Sequence, residues 1–308
     1  MSELKNLLVA LDYTRMDEVI VCYTAFFCNL VPVEKVYFVH VRQKANLPTE
    51  LLRTLDILEE PEVHPTMEQE MRELVQCYFV NQERTKTEVL LPTGNPLKEI
   101  LRLSKQKDID LIVTGQKLRL RGTGVLAYKL VHAGKSSVLL VPETSEPTLK
   151  RLVVSTDFSE YSELTLRHVM EMAKQKPGME IICMHVYEVP TGYITLGVSY
   201  ESFEAKIRQY AEKKFDAILQ QFPELQGRAC LNLVKKHPND DTGEVLVMEA
   251  RRLHADLLAI GARGVSGVSL LVLGSVTEKV IRRNTDMPLL VFKKKNENLG
   301  FIDAIIGS

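Results

Sequence analysis

The amino-acid sequence contains two copies of one pattern, and this internal repeat limits the possible folds more than any other feature. Residues 4–12 (LKNLLVALD) match residues 149–157 (LKRLVVSTD), and residues 110–115 (DLIVTG) match residues 256–261 (DLLAIG). The copies also share two shorter pairs, His40-Val41 with His185-Val186 and Thr93-Gly94 with Thr242-Gly243. The spacing between matched residues drifts by only a few positions, because loops tolerate changes of length better than strands do. We therefore interpret the chain as a duplicated domain.

A stretch rich in Pro, Ser and Thr, residues 142–148 (PETSEPT), separates the two copies and is typical of a short linker. It predicts one domain over residues 1–145, a second over residues 146–295, and a C-terminal tail over residues 296–308. Each domain has the usual size of a compact folding unit. The tail has a polar start and an apolar end, which fits either docking on a protein surface or a frayed terminus.

Composition excludes several classes of protein. The formal net charge of −1 gives no basic excess of the kind that favours nucleic acid or an anionic membrane as partner. No apolar run is long enough to span a bilayer, and the first residues do not form a signal peptide. The five cysteines contain no C-x-x-C pair, so neither a zinc site nor a disulfide framework is indicated. We expect a soluble cytoplasmic protein.

In the second copy, short apolar runs alternate with longer stretches of helical period, which predicts strand-helix-strand units and a parallel sheet. The five predicted strands cover residues 151–155, 180–186, 229–234, 257–260 and 289–292. An amphipathic helix is predicted to cover the sheet, with an apolar face formed by Phe203, Ile207, Tyr210, Ala211, Phe215, Ile218 and Leu219. The fold class is therefore α/β, with two tandem doubly wound domains that have helices on both faces of each sheet.

A glycine-containing loop follows the fourth predicted strand of the second copy. In an open parallel sheet, ligands bind beyond the carboxyl ends of the strands, where the strand order reverses. Asp157 follows the first strand and Gly261 follows the fourth, so both are expected at one crevice if these strands are neighbours. The loop leads through Gly264 and Gly274 into a helix. Glycines let backbone N–H groups come close to an anion, and the helix N-terminus offers further free N–H groups, so this arrangement favours phosphate binding. Its spacing is that of neither the P-loop nor the G-x-G-x-x-G motif.

Each of these residues also has a purely structural interpretation. Ser275 and Glu278 fit a capping box, and Asp157 fits the cap of a helix that begins near Ser159. His40 and His185 each end an apolar strand and have no neighbouring nucleophile, so we expect both to be structural. The remaining histidines considered show no ligand spacing, and no metal site is predicted from them: His132, His237 and His254.

The spacing Gly261-x2-Gly264-x9-Gly274-Ser275, between a strand and a helix, resembles the ATP-binding signature of the universal stress protein family. The resemblance covers both halves of the chain and implies a five-stranded parallel sheet in the order 3-2-1-4-5. It implies bound ATP, with or without Mg²⁺, in the second domain. Thr156 and Asp157 are assigned to the ribose and adenine, the backbone of Val186 to the base, and the glycines and Ser275 to the phosphates. The full set of candidate nucleotide-binding residues is Ser155, Thr156, Asp157, Val186, Ile260, Gly261, Arg263, Gly264, Gly274, Ser275 and Val276.

The corresponding loop of the first copy is different. Leu118 stands at the position of the second glycine, where positive φ would be costly for a branched side chain, and the loop is about four residues shorter. Lys117, Arg119 and Arg121 leave two interpretations open, a looser anion site or a solvated basic loop. We expect one nucleotide per chain, held by the second domain.

These features predict an ATP-binding regulatory protein of the stress-response type, with a protein partner that the sequence does not identify. Two alternatives stay open, a slow ATP hydrolase or phosphotransferase and a ligand-free interaction scaffold. No catalytic base, nucleophile or metal cluster accompanies the loop, which favours binding over catalysis. The tandem chain is expected to be either a monomer that imitates the dimer of single-domain relatives through its last strands, or a homodimer.

Overall fold

The computed structural model describes residues 4–43, 65–80, 83–117, 123–264 and 273–294. Three residues of the first-copy loop named above lie outside the described residues: Leu118, Arg119 and Arg121. The tail over residues 296–308 and most of the spacer between Gly264 and Gly274 also lie outside them.

The first half alternates strands and helices in chain order. Its elements are β1 (Asn6–Leu11), α1 (Met16–Cys28), β2 (Lys35–His40), α2 (Pro65–Tyr78), β3 (Lys86–Leu90), α3 (Pro96–Gln106), β4 (Leu111–Gln116), α4 (Thr123–Ala133) and β5 (Ser137–Pro142). The second half repeats the alternation with β6 (Arg151–Ser155), α5 (Glu160–Gln175), β7 (Glu180–Tyr187), α6 (Tyr200–Gln221), β8 (Ala229–Lys235), α7 (Thr242–Arg252), β9 (Leu257–Gly261), α8 (Ser275–Arg283) and β10 (Leu289–Phe292).

The ten strands form one sheet in the order β3-β2-β1-β4-β5-β10-β9-β6-β7-β8. Within each half all pairings are parallel, and the order is 3-2-1-4-5 counted from the outer strand. Both predicted doubly wound domains are confirmed. The five predicted strands of the second half are also confirmed, with ends that differ by at most one residue.

The apolar face predicted for α6 is only partly correct. Ala211, Phe215 and Ile218 are buried and lie four and three residues apart, which is one narrow stripe of the helix. Tyr210 lies beside this stripe and is 60% exposed. An aromatic residue at helical spacing therefore did not identify a buried position here.

The structure corrects one match between the copies. Asn95 is the N-cap of α3 and accepts a hydrogen bond from the backbone of Lys98, while Asp241 is the N-cap of α7. Asn95 and Asp241 are therefore equivalent, which is also the register of the DLIVTG and DLLAIG strands. The pairing of Thr93-Gly94 with Thr242-Gly243 is wrong, because the first pair precedes its helix and the second pair begins one.

The two halves meet along the antiparallel pair β5 and β10, with Leu139 opposite Leu290. Gln116, at the end of β4, is buried, and its amide donates to the carbonyl oxygens of Ile281 and Asn284 in the last turn of α8 at 3.2 and 2.6 Å. One cluster of buried side chains includes residues from both halves. The tandem domains thus share a core, as expected if the chain imitates a dimer through its last strands.

A partly buried lysine also connects one half to the other. Lys293, just after β10, donates to the carbonyl oxygens of Val131 and Gly134 at the end of α4. Burial lowers the pKa of the Lys293 ammonium to about 7. Because these carbonyls have no partner within their own helix, Lys293 caps the first domain from the second.

Candidate functional site

The eleven residues predicted to bind nucleotide line one cavity. It has a volume of about 270 Å³ and lies at the carboxyl ends of β6 and β9, which are neighbours in the sheet. Four further residues line the same cavity: Ser162, Thr242, Leu246 and Thr277. The cavity thus lies at the point where the strand order of the second domain reverses, which is where open α/β sheets bind ligands.

The end of β6 is fixed by its neighbour β7. The backbone N–H of Thr156 donates to the carbonyl of Met184 at 2.9 Å, and His185 donates from Nδ1 to the carbonyl of Thr156 at 2.9 Å. Burial lowers the pKa of His185, so its ring is held in the neutral form. His40 makes the same contact with Leu11 at 3.1 Å in the first domain. Each histidine thus ties the end of one strand to its neighbour, which is the contact that the structural interpretation expects.

Asp157 occupies the turn between β6 and α5. Its Oδ1 accepts a hydrogen bond from the backbone of Ser159 at 3.0 Å. The N-cap of α5 is Ser159, whose side chain accepts from the backbone of Ser162. The interpretation of Asp157 as the helix cap is therefore wrong, and the carboxylate instead lies against Gly264, where a Cβ atom would approach Oδ2 far more closely than 3.0 Å.

The glycines of the loop are required by close contacts rather than by unusual backbone angles. Among the glycines that the structure describes, positive φ is found only at three others, and not at Gly261, Gly264 or Gly274. A Cβ atom on Gly261 would lie 2.9 Å from the Cβ of Tyr161. The positive-φ argument used for the loop is thus wrong for Gly264, whose constraint is the neighbouring Asp157.

Ser275 is the first residue of α8, and Gly274 is the N-cap with no side-chain cap hydrogen bond. Glu278 accepts hydrogen bonds from Tyr128 at 2.8 Å and from Arg282 at 2.7 Å, so it does not close a capping box. The capping-box interpretation of Ser275 is wrong. Its side chain is exposed and has no hydrogen-bond partner within the described ranges.

Helix α8 is held with its N-terminus at the cavity. Thr277 is buried, and its hydroxyl donates to the carbonyl of Gly261 at 2.8 Å, which ties the first turn of the helix to the end of β9. The first N–H groups of a helix have no partner within the helix and carry partial positive charge. The site therefore presents a helix end with partial positive charge beside a serine hydroxyl. The sequence analysis did not include Thr277 among the site residues, because a single Thr two positions after Ser275 carries no sign that it is buried.

The cation of the site is Arg263. Its guanidinium donates to the hydroxyl of Tyr161 at 3.3 Å and lies 5.8 Å from the centre of that ring. Arg263 and Asp157 are the two ionisable groups in the cavity lining that the structure describes, so the lining is close to neutral. The carboxylate lies on the β6 side, and the arginine and helix end lie on the β9 side.

Two helices that border this cavity are joined by ion pairs. Lys279 of α8 lies 3.0 Å from Glu244 of α7, and Arg283 lies 2.6 Å from the same carboxylate. A Cβ atom on Gly243 would lie 2.8 Å from the carbonyl oxygen of Val276, so the two helix N-termini pack closely. Thr242, the first residue of α7, lines the cavity beside this contact.

No helix within the described ranges combines the length and the apolar character that crossing a bilayer requires.

Two doubly wound domains, each with a cavity where its strand order reverses, place this protein in the class of doubly wound α/β proteins. Residues 148–293 match the model of the universal stress protein family. These residues therefore form a domain of the universal stress protein family.

Individual relatives match half of the chain. Universal stress protein MJ0577 of Methanocaldococcus jannaschii is 28% identical over 162 residues, which cover 48% of this chain and 96% of the relative. Universal stress protein YxiE of Bacillus subtilis is 27% identical over 146 residues, which cover 46% of this chain and 97% of the relative.

Solved structures match the whole chain. A universal stress protein from Archaeoglobus fulgidus is 20% identical with a TM-score of 0.62, covering 96% of this chain and 98% of that one. The protein PA1789 from Pseudomonas aeruginosa is 14% identical with a TM-score of 0.61, covering 99% of this chain and 97% of that one. These likenesses extend the tandem fold to both halves.

Proposed function

We propose that the second domain binds ATP and that the bound nucleotide regulates the interaction of the chain with a protein partner. The observation that carries the proposal is the convergence of all eleven signature residues on one cavity at the end of β6 and β9. A family resemblance alone does not require this convergence.

The chemistry of the lining matches the parts of the nucleotide. The N-terminus of α8 and the hydroxyl of Ser275 offer donors for the phosphates, and Asp157 offers an acceptor for the ribose hydroxyls. Apolar side chains, among them Val186 and Leu246, offer a surface for the adenine ring. Mg²⁺ would enter with the phosphates and their waters, and the Ser275 hydroxyl is the oxygen ligand on the phosphate side of the lining that fits it.

A regulatory role is supported by the position of α8. Its first turn borders the cavity, while its last turn accepts the hydrogen bonds from Gln116 of the first domain. A ligand that orders the first turn would therefore act on a helix that contacts both domains. In the lining that the structure describes, Asp157 is the one candidate general base, and its Oδ1 already accepts from the backbone of Ser159. This favours binding without rapid turnover.

Calorimetry with ATP and AMP tests the proposal. We expect ATP to bind with one site per chain and more tightly than AMP, because only ATP carries β- and γ-phosphates for the end of α8. No binding of ATP would refute the proposal, and equal affinities would refute the assigned phosphate contacts. Hydrogen exchange should slow in α8 when ATP is added. Substantial phosphate release that is lost in Asp157→Asn would instead favour the hydrolase.

A further inference from the structure

The first domain has its own cavity at the equivalent place. It has a volume of about 530 Å³ and lies at the carboxyl ends of β1 and β4, next to the N-termini of α3 and α4. A volume of this size lies within the range of small-molecule sites. The lining differs from that of the second domain in charge, and the cavity is larger.

The carboxylate that corresponds to Asp157 is already occupied in the first domain. Asp12 accepts a hydrogen bond from the ammonium of Lys117 at 2.6 Å through one oxygen and from the hydroxyl of Thr14 at 2.6 Å through the other. Lys117 stands where the second domain has Arg263, since each lies two residues after the last glycine of its strand. Asp12 is therefore poorly placed to accept the ribose hydroxyls of a nucleotide.

Two lysines of the first domain replace an ion pair of the second. The shared N-cap register places Lys98 of α3 at the position of Glu244, and Lys129 precedes its Leu-Leu-Val strand by the same number of residues as Lys279 does. Where Glu244 and Lys279 attract each other at 3.0 Å, the first domain thus has two ammonium groups.

Both ammonium groups line the same cavity. Lys98 is half-buried and Lys129 is exposed, and within the part of the chain that the structure describes neither has a hydrogen-bond or ion-pair partner for its side chain. Like charges on neighbouring helices repel each other, and an anion between them would remove this repulsion. The pair therefore favours a bound anion.

The rest of the lining is largely apolar. Leu97, Ile100 and Leu126 belong to the same two helices as the lysines, and Leu11 and Val41 come from the ends of the strands. A free inorganic anion would leave this surface in contact with water. A ligand with an anionic head and an apolar body would satisfy both parts of the lining.

We propose that the cavity of the first domain binds a small organic acid, with its anionic head at Lys98 and Lys129 and its apolar body against Leu97, Ile100 and Leu126. The site takes a different class of ligand from the nucleotide of the second domain. It does not depend on ATP binding there.

The fluorescent probe 8-anilinonaphthalene-1-sulfonate, an aromatic body with one sulfonate, tests this site in the full chain. The variant Lys98→Gln/Lys129→Gln removes the two charges. Lys206→Gln/Lys213→Gln removes the same charge from exposed positions of α6 and serves as the matched control. We expect about tenfold weaker probe binding in the first variant and no change in the control. Decanoate should displace the probe from wild-type protein, and circular dichroism should show both variants folded.

Two further measurements separate the competing outcomes. The neutral analogue N-phenyl-1-naphthylamine lacks the sulfonate, so its affinity should be the same in all three proteins. Saturating ATP should leave the lysine-dependent part of the signal in place. Equal loss of probe binding in both double variants, or displacement of the lysine-dependent signal by ATP, would overturn the proposal. Because the readout is the lysine dependence, it stands whether or not the second domain binds ATP.

Discussion

The contact between Gly264 and Asp157 gives the sharpest test of the second-domain site. Replacing Gly264 by Ala adds one carbon atom, which would lie closer to Asp157 Oδ2 than the 3.0 Å below which real Cβ atoms are essentially never found. Ordinary van der Waals contact begins near 3.4 Å. Because Oδ2 is the end of a side chain, the carboxylate would rotate away while the backbone stays in place.

The size of the effect follows from the bond that is lost. A hydrogen bond to a charged group contributes about 1.5–3 kcal/mol, and about 1.4 kcal/mol corresponds to a factor of ten in Kd. We therefore expect Gly264→Ala to weaken ATP binding about 10- to 150-fold. Loss of the bond from Ser159 to Asp157 should lower the free energy of unfolding by about 1 kcal/mol.

Calorimetric titration of four proteins measures this: wild type, Gly264→Ala, Asp157→Asn and the double variant. If Gly264→Ala acts by displacing Asp157, it should add little to the loss in the Asp157→Asn background. Gly178→Ala is the matched control, because no atom lies within 4 Å of the added carbon and its φ is not positive. Wild-type affinity in Gly264→Ala, or losses that add fully in the double variant, would refute the reasoning.

Three further predictions follow from single contacts. Gly274→Ala should lower ATP affinity about fivefold, because the added methyl group would stand beside the N–H groups of α8 that are proposed to bind the phosphates. The melting temperature should not fall, because the added Cβ lies no closer than 3.4 Å to any atom of the described residues; a lower melting temperature with unchanged affinity would contradict this. His168 stacks on Phe292, and burial lowers its pKa to about 4. Below the ordinary pKa of 6.5 the unfolded chain therefore binds more protons than the folded chain, and the folded state loses stability as the pH falls from 6.5 towards 4. Between pH 7.5 and pH 4.5, urea unfolding should show that the free energy of unfolding of the wild type falls by up to about 3 kcal/mol more than that of His168→Phe. An equal fall in both proteins would be evidence against this. Gln116→Leu leaves two buried carbonyls of α8 without a donor and should reduce the free energy of unfolding by about 1–3 kcal/mol, whereas unchanged urea unfolding would show that these bonds do not hold the domains together.

Much of the fold could be predicted from the repeat and the apolar runs. The strands of the second half were located to within a residue because near-continuous apolar segments such as residues 152–154 are buried on both faces of a parallel sheet. The strand order came from the family resemblance rather than from the residues. The partial error in α6 has a physical cause, since Tyr210 lies one residue outside the buried stripe and periodicity alone does not resolve that difference.

The sequence predicted which residues lie together more accurately than the reason why they do. All eleven residues converge on the cavity, yet Gly264 is needed for its contact with Asp157 and not for its backbone angle. Side-chain approach across a turn leaves no signal in sequence spacing. The lysine pair of the first domain was missed for another reason. Matching Thr93-Gly94 to Thr242-Gly243 shifts α3 against α7 by three residues, which hides the replacement of Glu244 by Lys98.

The antiparallel pairing of β5 with β10 decides how the two cavities are related. All strands of one half run opposite to all strands of the other, so the carboxyl ends of the two halves lie on opposite edges of the continuous sheet. No small ligand can bridge the two cavities, which are separated by the length of a strand, roughly 20 Å for six residues. Occupancy of one site can affect the other only through elements that contact the other half, such as β5, β10 and the C-terminal end of α8. If these elements shift on binding, each ligand would change the affinity of the other by the same factor. If they stay fixed, the two sites would bind their ligands independently.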